Sequence, residues 1–281
     1  THASCREILD RLIKADPEIT QQVEIYAFKS SLPFVLNDGK STIYVSTALI
    51  AHTTKPEQLH FLIATQLFHI KHHSEPEFMK LNRVSDYTAR LKMLGTYAPE
   101  VQAKSDLYAL TSITQLKMNP QSAIDGLDIL AAGDTVIEEL PVPGNQFSSN
   151  LFHFPQDYFD PSAYRFEKII PTAEQLAIRE RKKVLSKNEL MQKSSDVQPE
   201  LKNDYSILRN LCALQYIEDL IVANDPEKAL YHIVLMENKF PSMDYLRRME
   251  INAWMAFIRK SLYPTLGKTA PKRIIQNTQS G

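Results

Sequence analysis

Apolar residues recur at helical spacing along most of the chain, and one stretch breaks that rhythm. Ile8, Leu9, Leu12 and Ile13 lie three and four apart, and a second turn set follows Pro17, so residues 4–30 are expected to be helical. The period then changes in PFVLNDGKSTIYVSTALI. Phe34-Val35-Leu36 and Thr42-Ile43-Tyr44-Val45 flank the turn Asn37-Asp38-Gly39 and predict a β-hairpin. Ser46-Thr47 reads as the cap of a short helix through Ile50. Pro56 opens the next helix, with Leu59, Leu62, Ile63, Gln66 and Ile70 on successive turns. That segment is long and mostly apolar, which marks a core helix.

Residues 76–98 and 99–117 read as two more helices, and a further one starts near Pro120. Residues 133–172 are rich in Gly, Pro, Asn, Phe and Tyr, show little periodicity and are expected to form an ordered surface loop. From 172 onward nearly everything reads helical until GKTAPKRIIQNTQSG, expected to be a frayed tail. Many helices, one hairpin and only seven glycines give a fold class of α+β with helix dominant.

Composition narrows the function classes. With 32 basic and 33 acidic residues the net charge is −1, which supplies no long-range field for nucleic acid or acidic lipid. The run Arg179-Glu180-Arg181-Lys182-Lys183 has no interleaved aromatic and is expected to be a solvated helix face. No stretch of 18 uncharged apolar residues exists, so no membrane-spanning helix is expected. Cys5 and Cys212 are too few to build a zinc site by themselves. The count leaves both a disulfide and two free thiols open, while the apolar helical surroundings of Cys212 favour a buried free thiol. The chain starts at Thr1, and an upstream segment is expected to have been removed. HASC is similar to a lipoprotein cleavage site except for His2, which stands where Leu is usual.

The segment with chemistry in it is ATQLFHIKHHSE, residues 64–75. Zinc peptidases carry H-E-x-x-H on a helix, where four-residue spacing puts both imidazoles on one face and the Glu activates the metal-bound water. QLHFLIATQLFHI resembles that helix in the HtpX and CAAX-prenyl-protease family of zinc metallopeptidases, but Thr65 stands on its first His and Gln66 on its Glu. Only His69, on the second His, is kept. The hairpin resembles the family's own, with Phe34 and Leu49 on its Phe and Leu. KSDLYALTSITQLKMNPQSA resembles its third-ligand segment, with Asp106 and Pro120 at the family separation and Lys104 on the ligand Glu. PTAEQLAIR matches a later family segment at Thr172 and Arg179, with that segment's His on Ala173.

The resemblance implies a zincin-like domain over residues 1–185 whose site has degenerated at Thr65, Gln66 and Lys104, leaving His69 and Asp106. Thr is a weak neutral ligand, a Lys ammonium repels a dication, and without the Glu no base remains to deprotonate water. On this register the Lys104 ammonium can stand where the family's zinc sits, donating to Gln66 and Thr65 oxygens and to His69, but the favoured reading turns it to solvent, as for most lysines. Asp106 is expected to pair with a cation or cap a nearby loop. His69 and His73 are four apart, with His72 beside them, so a rebuilt metal site is conceivable. The favoured reading makes His69 a hydrogen-bonded core histidine and places His72 and His73 at a helix end. His52, His60 and His153 read as surface or packing residues, and no G-x-S-x-G nucleophile motif is present.

NLCALQYIEDLIVANDPEKALYHIVLMENKFPS resembles a tetratricopeptide repeat, with Ala229 and Pro241 on its small residue and terminal Pro; a plain helical hairpin fits equally. Met249, Ile251, Trp254 and Ile258 are candidate packing residues of the following helix. Some periplasmic, BepA-like members of the family carry such repeats after the peptidase domain. The expected division is 1–185 metallopeptidase-like, 186–262 tetratricopeptide-like and 263–281 flexible tail. The expected function is a pseudopeptidase scaffold or adaptor of the cell envelope, with no metal or other cofactor. Its partners would be other proteins, in a multi-subunit complex, and not nucleic acid. The alternative is an active zinc endopeptidase with a rebuilt site.

Overall fold

The computed structural model describes residues 2–74, 97–132, 173–192, 205–240 and 242–269. The expected surface loop over 133–172, His153, most of the helix expected over 76–98 and the last twelve residues lie outside these. The described chain is helix-dominated with one small sheet, an α+β arrangement. Helix α1 spans His2–Ala15, and three strands follow: β1 Glu24–Phe28, β2 Val35–Asn37 and β3 Thr42–Ser46. Helices α2 Thr47–His52, α3 Pro56–Lys71, α4 Pro99–Gln115 and α5 Gln121–Ala132 complete the first lobe. After them come α6 Ala173–Ser186, a 3-10 turn Glu189–Gln192, α7 Tyr205–Val222, α8 Pro226–Lys239 and α9 Asp244–Thr269. Among the described residues no helix is long and apolar enough to cross a membrane.

The helix expected over 4–30 is half wrong. It ends at Ala15, and residues 24–28 form a strand instead. Asp16 turns the chain, its side chain accepting from the Glu18 amide. Val23 and Ile25 then alternate inward, and Ile25 lies opposite Ile43 of β3 in a parallel pairing. Two-residue alternation of β-branched and aromatic side chains suits a half-buried strand, and pairing with β3 outweighs the weak local helical pattern. The hairpin forms as expected, β2 antiparallel to β3, giving the order β1-β3-β2. Its turn rests on Gly39 at φ 74 and on Asp38, whose carboxylate accepts from the amides of Lys40, Ser41 and Thr42.

Ser46 caps α2 by accepting from the Leu49 amide. Gln58 steadies the start of α3 by accepting from the amides of Thr54 and Lys55. Every residue of α3 from Glu57 to Ile70 is buried. It packs on the inner face of the sheet and against α1, α4 and α5. The close approach of α5 is made at Gly126, where an added Cβ would lie 3.4 Å from the Gln58 carbonyl oxygen.

The C-terminal helices continue the same core. α7 lies along α2, α8 packs on α7, and α9 packs on α8 with a short connection at each turn. Cys5, Leu49 and Leu62 belong to one buried apolar cluster with Leu208, Cys212, Ile217 and Ile233. Both cysteines are buried, and no disulfide joins them. Trp254 is partly buried against this cluster, and Met249 is buried in it, but Ile251 and Ile258 are 60% and 51% exposed. Those two lie on the opposite side of α9 from Leu246, Met249 and Ala253, so they do not pack as expected. α9 also runs through Pro264 to Thr269, past 263, where the tail was expected to start; a proline costs one hydrogen bond without necessarily ending the helix.

Two outcomes are expected. Leu62→Ala, at a site 0% exposed between α3 and Gly126 of α5, should lower unfolding free energy in urea by about 2–5 kcal/mol. A fragment of residues 200–281 should show no cooperative thermal transition by circular dichroism, because its helices bury their faces on α2.

Candidate functional site

Thr65, Gln66 and His69 sit in the second half of α3, and their exposures are 2%, 5% and 1%. Helical geometry puts Thr65 and His69 one above the other on one face, with Gln66 beside them. The polar atoms are taken up by neighbours. The Thr65 hydroxyl donates to the Leu62 carbonyl at 2.8 Å and accepts from Gln66 Nε2 at 3.2 Å. Gln66 Oε1 accepts from Asn37 Nδ2 at 2.8 Å, and the same nitrogen donates to the Tyr97 hydroxyl at 2.7 Å. Asn37 ends β2 opposite Ile43, on the inner face of the sheet, and its Oδ1 accepts from the Gly39 amide. The turn that closes the hairpin thus also aims Asn37 at α3.

His69 is held by stacking. Its ring lies 3.5 Å from that of Tyr97 with 7° between the planes, and Phe68 meets it edge-on. Both ring nitrogens are buried and have no hydrogen-bond partner among the described residues, where a hydrogen-bonded core histidine was expected. Burial, then the Arg181 cation, then His72 lower its pKa from 6.5 to about 3. Burial also pushes the Tyr97 phenol up to about 12, against the opposing effect of its hydrogen bond from Asn37.

Lys104 does not enter this site. It is exposed on α4, as the solvent-facing reading has it, and not over Thr65 and His69. The helix turns Ser105, Asp106, Ala109 and Leu110 inward and carries Lys104 and Leu107 on its outer side. The cation on this side of α3 comes from α6 instead. Arg181 binds Asp106 with two bonds, Nε to Oδ2 at 2.8 Å and Nη2 to Oδ1 at 2.7 Å, while Gln102 Nε2 lies 3.4 Å from Oδ1. Asp106 is 2% exposed, and the two-point bond ties α6 to α4.

Arg181 was therefore misread as part of a solvated face. Arg179, Glu180 and Lys183 are exposed, but Ile178, Arg181 and Leu185 form an inward stripe at spacings of three and four. That stripe, and a buried Asp in want of a cation, were the available signals. Asn37 and Tyr97 carried none, because the sheet and the stack that use them are long-range.

The imidazole pair His69/His73 is not assembled on one helix face. α3 ends at Lys71, His72 is its C-cap stacked on Phe68, and His73 has φ 47 with its ring against Gln21. Among the described residues no group of three or more His, Cys, Asp or Glu side chains converges on a metal position. His60 is packed rather than at the surface, at 0% exposure with Nδ1 against the Pro56 carbonyl, and burial lowers its pKa to about 4. No protein-family model and no curated protein matches this chain.

Arg181→Met should strand the buried Asp106 carboxylate and cost about 3–5 kcal/mol in urea unfolding, whereas Asp106→Asn combined with it should cost less than the two single changes summed. The sign of the His69 shift also has a consequence. A depressed folded pKa means that the neutral ring contributes stability fully present above pH 6.5 and lost as pH falls toward 3. In NMR spectra its ring resonances should therefore stay those of neutral imidazole from pH 8 down to about pH 4 and change only with acid unfolding.

Proposed function

We propose that this chain is a metallopeptidase-like protein without catalysis, acting as a scaffold or adaptor for other proteins. The observation that supports this best is the state of Gln66. In the family that this chain resembles the base that activates water is a Glu carboxylate; here a neutral amide is wired between Asn37 and Thr65 inside a buried helix. The surroundings do not fit the zinc ion that such a fold implies. The Thr65 hydroxyl proton is committed to a carbonyl, Lys104 stands in solvent, and the remaining imidazole feels the Arg181 cation. One imidazole beside a guanidinium is a poor seat for a dication.

What this arrangement does offer is surface. Among the described residues β1 and β2 are the edges of the sheet; β2 is buried throughout, and β1, with Tyr26 exposed, is the edge to which an extended peptide adds through main-chain hydrogen bonds. The α7–α8–α9 array, read as tetratricopeptide-like, packs Ala229 at 0% exposure where helices approach closely and presents a second face to a partner.

The purified protein, equilibrated with zinc and passed through a desalting column, should retain well under one equivalent of metal and leave unfolded casein intact. One equivalent of tightly held zinc that disappears in His69→Ala would overturn the proposal.

A further inference from the structure

Away from α3, two imidazoles meet where the first lobe joins the C-terminal helices. His52 is the last residue of α2, and His232 lies in the middle of α8. Their ring centroids are 6.3 Å apart, and Tyr216 of α7 stands edge-on to both, at 4.8 Å and 5.0 Å. Tyr231 meets His232 from its other side at 5.4 Å. His52 Nδ1 is bonded to the Ala48 carbonyl at 2.7 Å.

The charges around the pair are of one sign. Arg209 of α7 donates to the Ala51 carbonyl, next to His52, and Lys228 lies one turn before His232 on α8. The carboxylates of the packed elements are engaged elsewhere. Asp219 serves Thr47 and Gln215, Glu218 serves Gln215 and Tyr245, and Asp225 pairs with Lys228. Glu227 pairs with Lys260, and Glu237 faces Arg247 and Glu250 of α9. On α5, which also touches α2, Asp125 binds Gln121 and Asp128 binds Lys182. Among the described residues only the Ala48 carbonyl, bonded to His52 Nδ1, favours an imidazolium, and the same two cations oppose a divalent ion between the rings.

We propose that this seam is an acid-operated latch: protonation of His52 and His232 frees the α8–α9 hairpin from α7 and the end of α2 while α3 and its surroundings stay folded. Two imidazoliums 6.3 Å apart, beside Arg209 and Lys228, repel one another across α2 and α8, and opening lets each ring take its proton in water. Burial, which acts first, and the neighbouring positive groups hold His52 at about 4 and His232 at about 3, against 6.5 for a free ring. Both shifts are downward, so the latch is closed above pH 6.5 and loosens as pH falls below it. Each ring that protonates only in the open state multiplies the open population about tenfold per pH unit in that window, and both together about a hundredfold. The latch is independent of the metallopeptidase-like reading.

Hydrogen–deuterium exchange of the full chain tests it, with rates at pH 7, 6 and 5 corrected for intrinsic exchange. Protection of peptides covering α8 should fall more than tenfold, and up to about a hundredfold, between pH 6 and 5, and stay below that of peptides covering α3 at each pH, although the buried rings of His60 and His69 make α3 lose protection with pH as well. His232→Phe should cut the fall in α8 to about tenfold or below. His52→Gln, which keeps a polar group near the Ala48 carbonyl, should do the same and serves if the first variant does not fold. Protection of α8 that is flat with pH, or that equals that of α3 at each pH, would overturn the latch. So would a pH dependence unchanged in the folded variant or variants.

Discussion

The complete burial of α3 is the constraint from which most of the structure follows. A helix covered by a sheet, α1, α4 and α5 has no side on which a polar residue can reach bulk water. Its apolar residues supply the driving force, each fully buried Leu, Ile or Phe contributing on the order of 1.5–3 kcal/mol. Its polar residues must then be satisfied from within. Gln58 binds the backbone before the helix, Thr65 binds the turn behind it, and Gln66 needs Asn37. That need explains why the hairpin turn and the helix are coupled. Asn37 holds the Gly39 amide with its oxygen and both Gln66 and Tyr97 with its nitrogen, so one side chain serves the turn, the sheet and the core.

The same constraint shapes the chemistry. His69 cannot charge where it lies, because a buried imidazolium beside Arg181 would cost more than the ring gains from stacking on Tyr97. Asp106 can be ionised in the interior only because Arg181 reaches it from α6 with two bonds. Apart from the His69 ring nitrogens, the polar groups of the site hold four elements together: the hairpin, α3, α4 and α6.

Where the C-terminal helices join, the contacts are of another kind. Thr53 and Tyr205, Thr47 and Asp219, and Arg209 with the Ala51 carbonyl link α2 to α7 through polar groups at the rim. Behind them the apolar cluster runs without a break from α1 to α9. A rim of hydrogen bonds over a shared core docks helices that are too few to bury their own faces. The ring cluster of His52, Tyr216 and His232 lies on this junction, so its charge state bears on how firmly the junction holds.

Local chemistry was enough to foretell the hairpin, the Ser46 cap, the start of α3 at Pro56 and its place in the core. Each depends on residues within a few positions of one another: a turn that needs Gly39, a hydroxyl one turn from an amide, a proline where no donor is required. By identity alone Thr65 is a weak neutral ligand and Gln66 an amide that cannot act as a base. The strand at residues 24–28 was not legible in that way, because its stability comes from pairing with a segment some eighteen residues later. The turning of Lys104 to solvent and of Arg181 to Asp106 was decided by how α4 and α6 rotate against α3. A rotation of one residue, about 100° on a helix, exchanges a buried cation for an exposed one. Composition and spacing name the groups that can meet; the packing of whole helices, summed over many weak contacts far apart in the chain, selects which of them do.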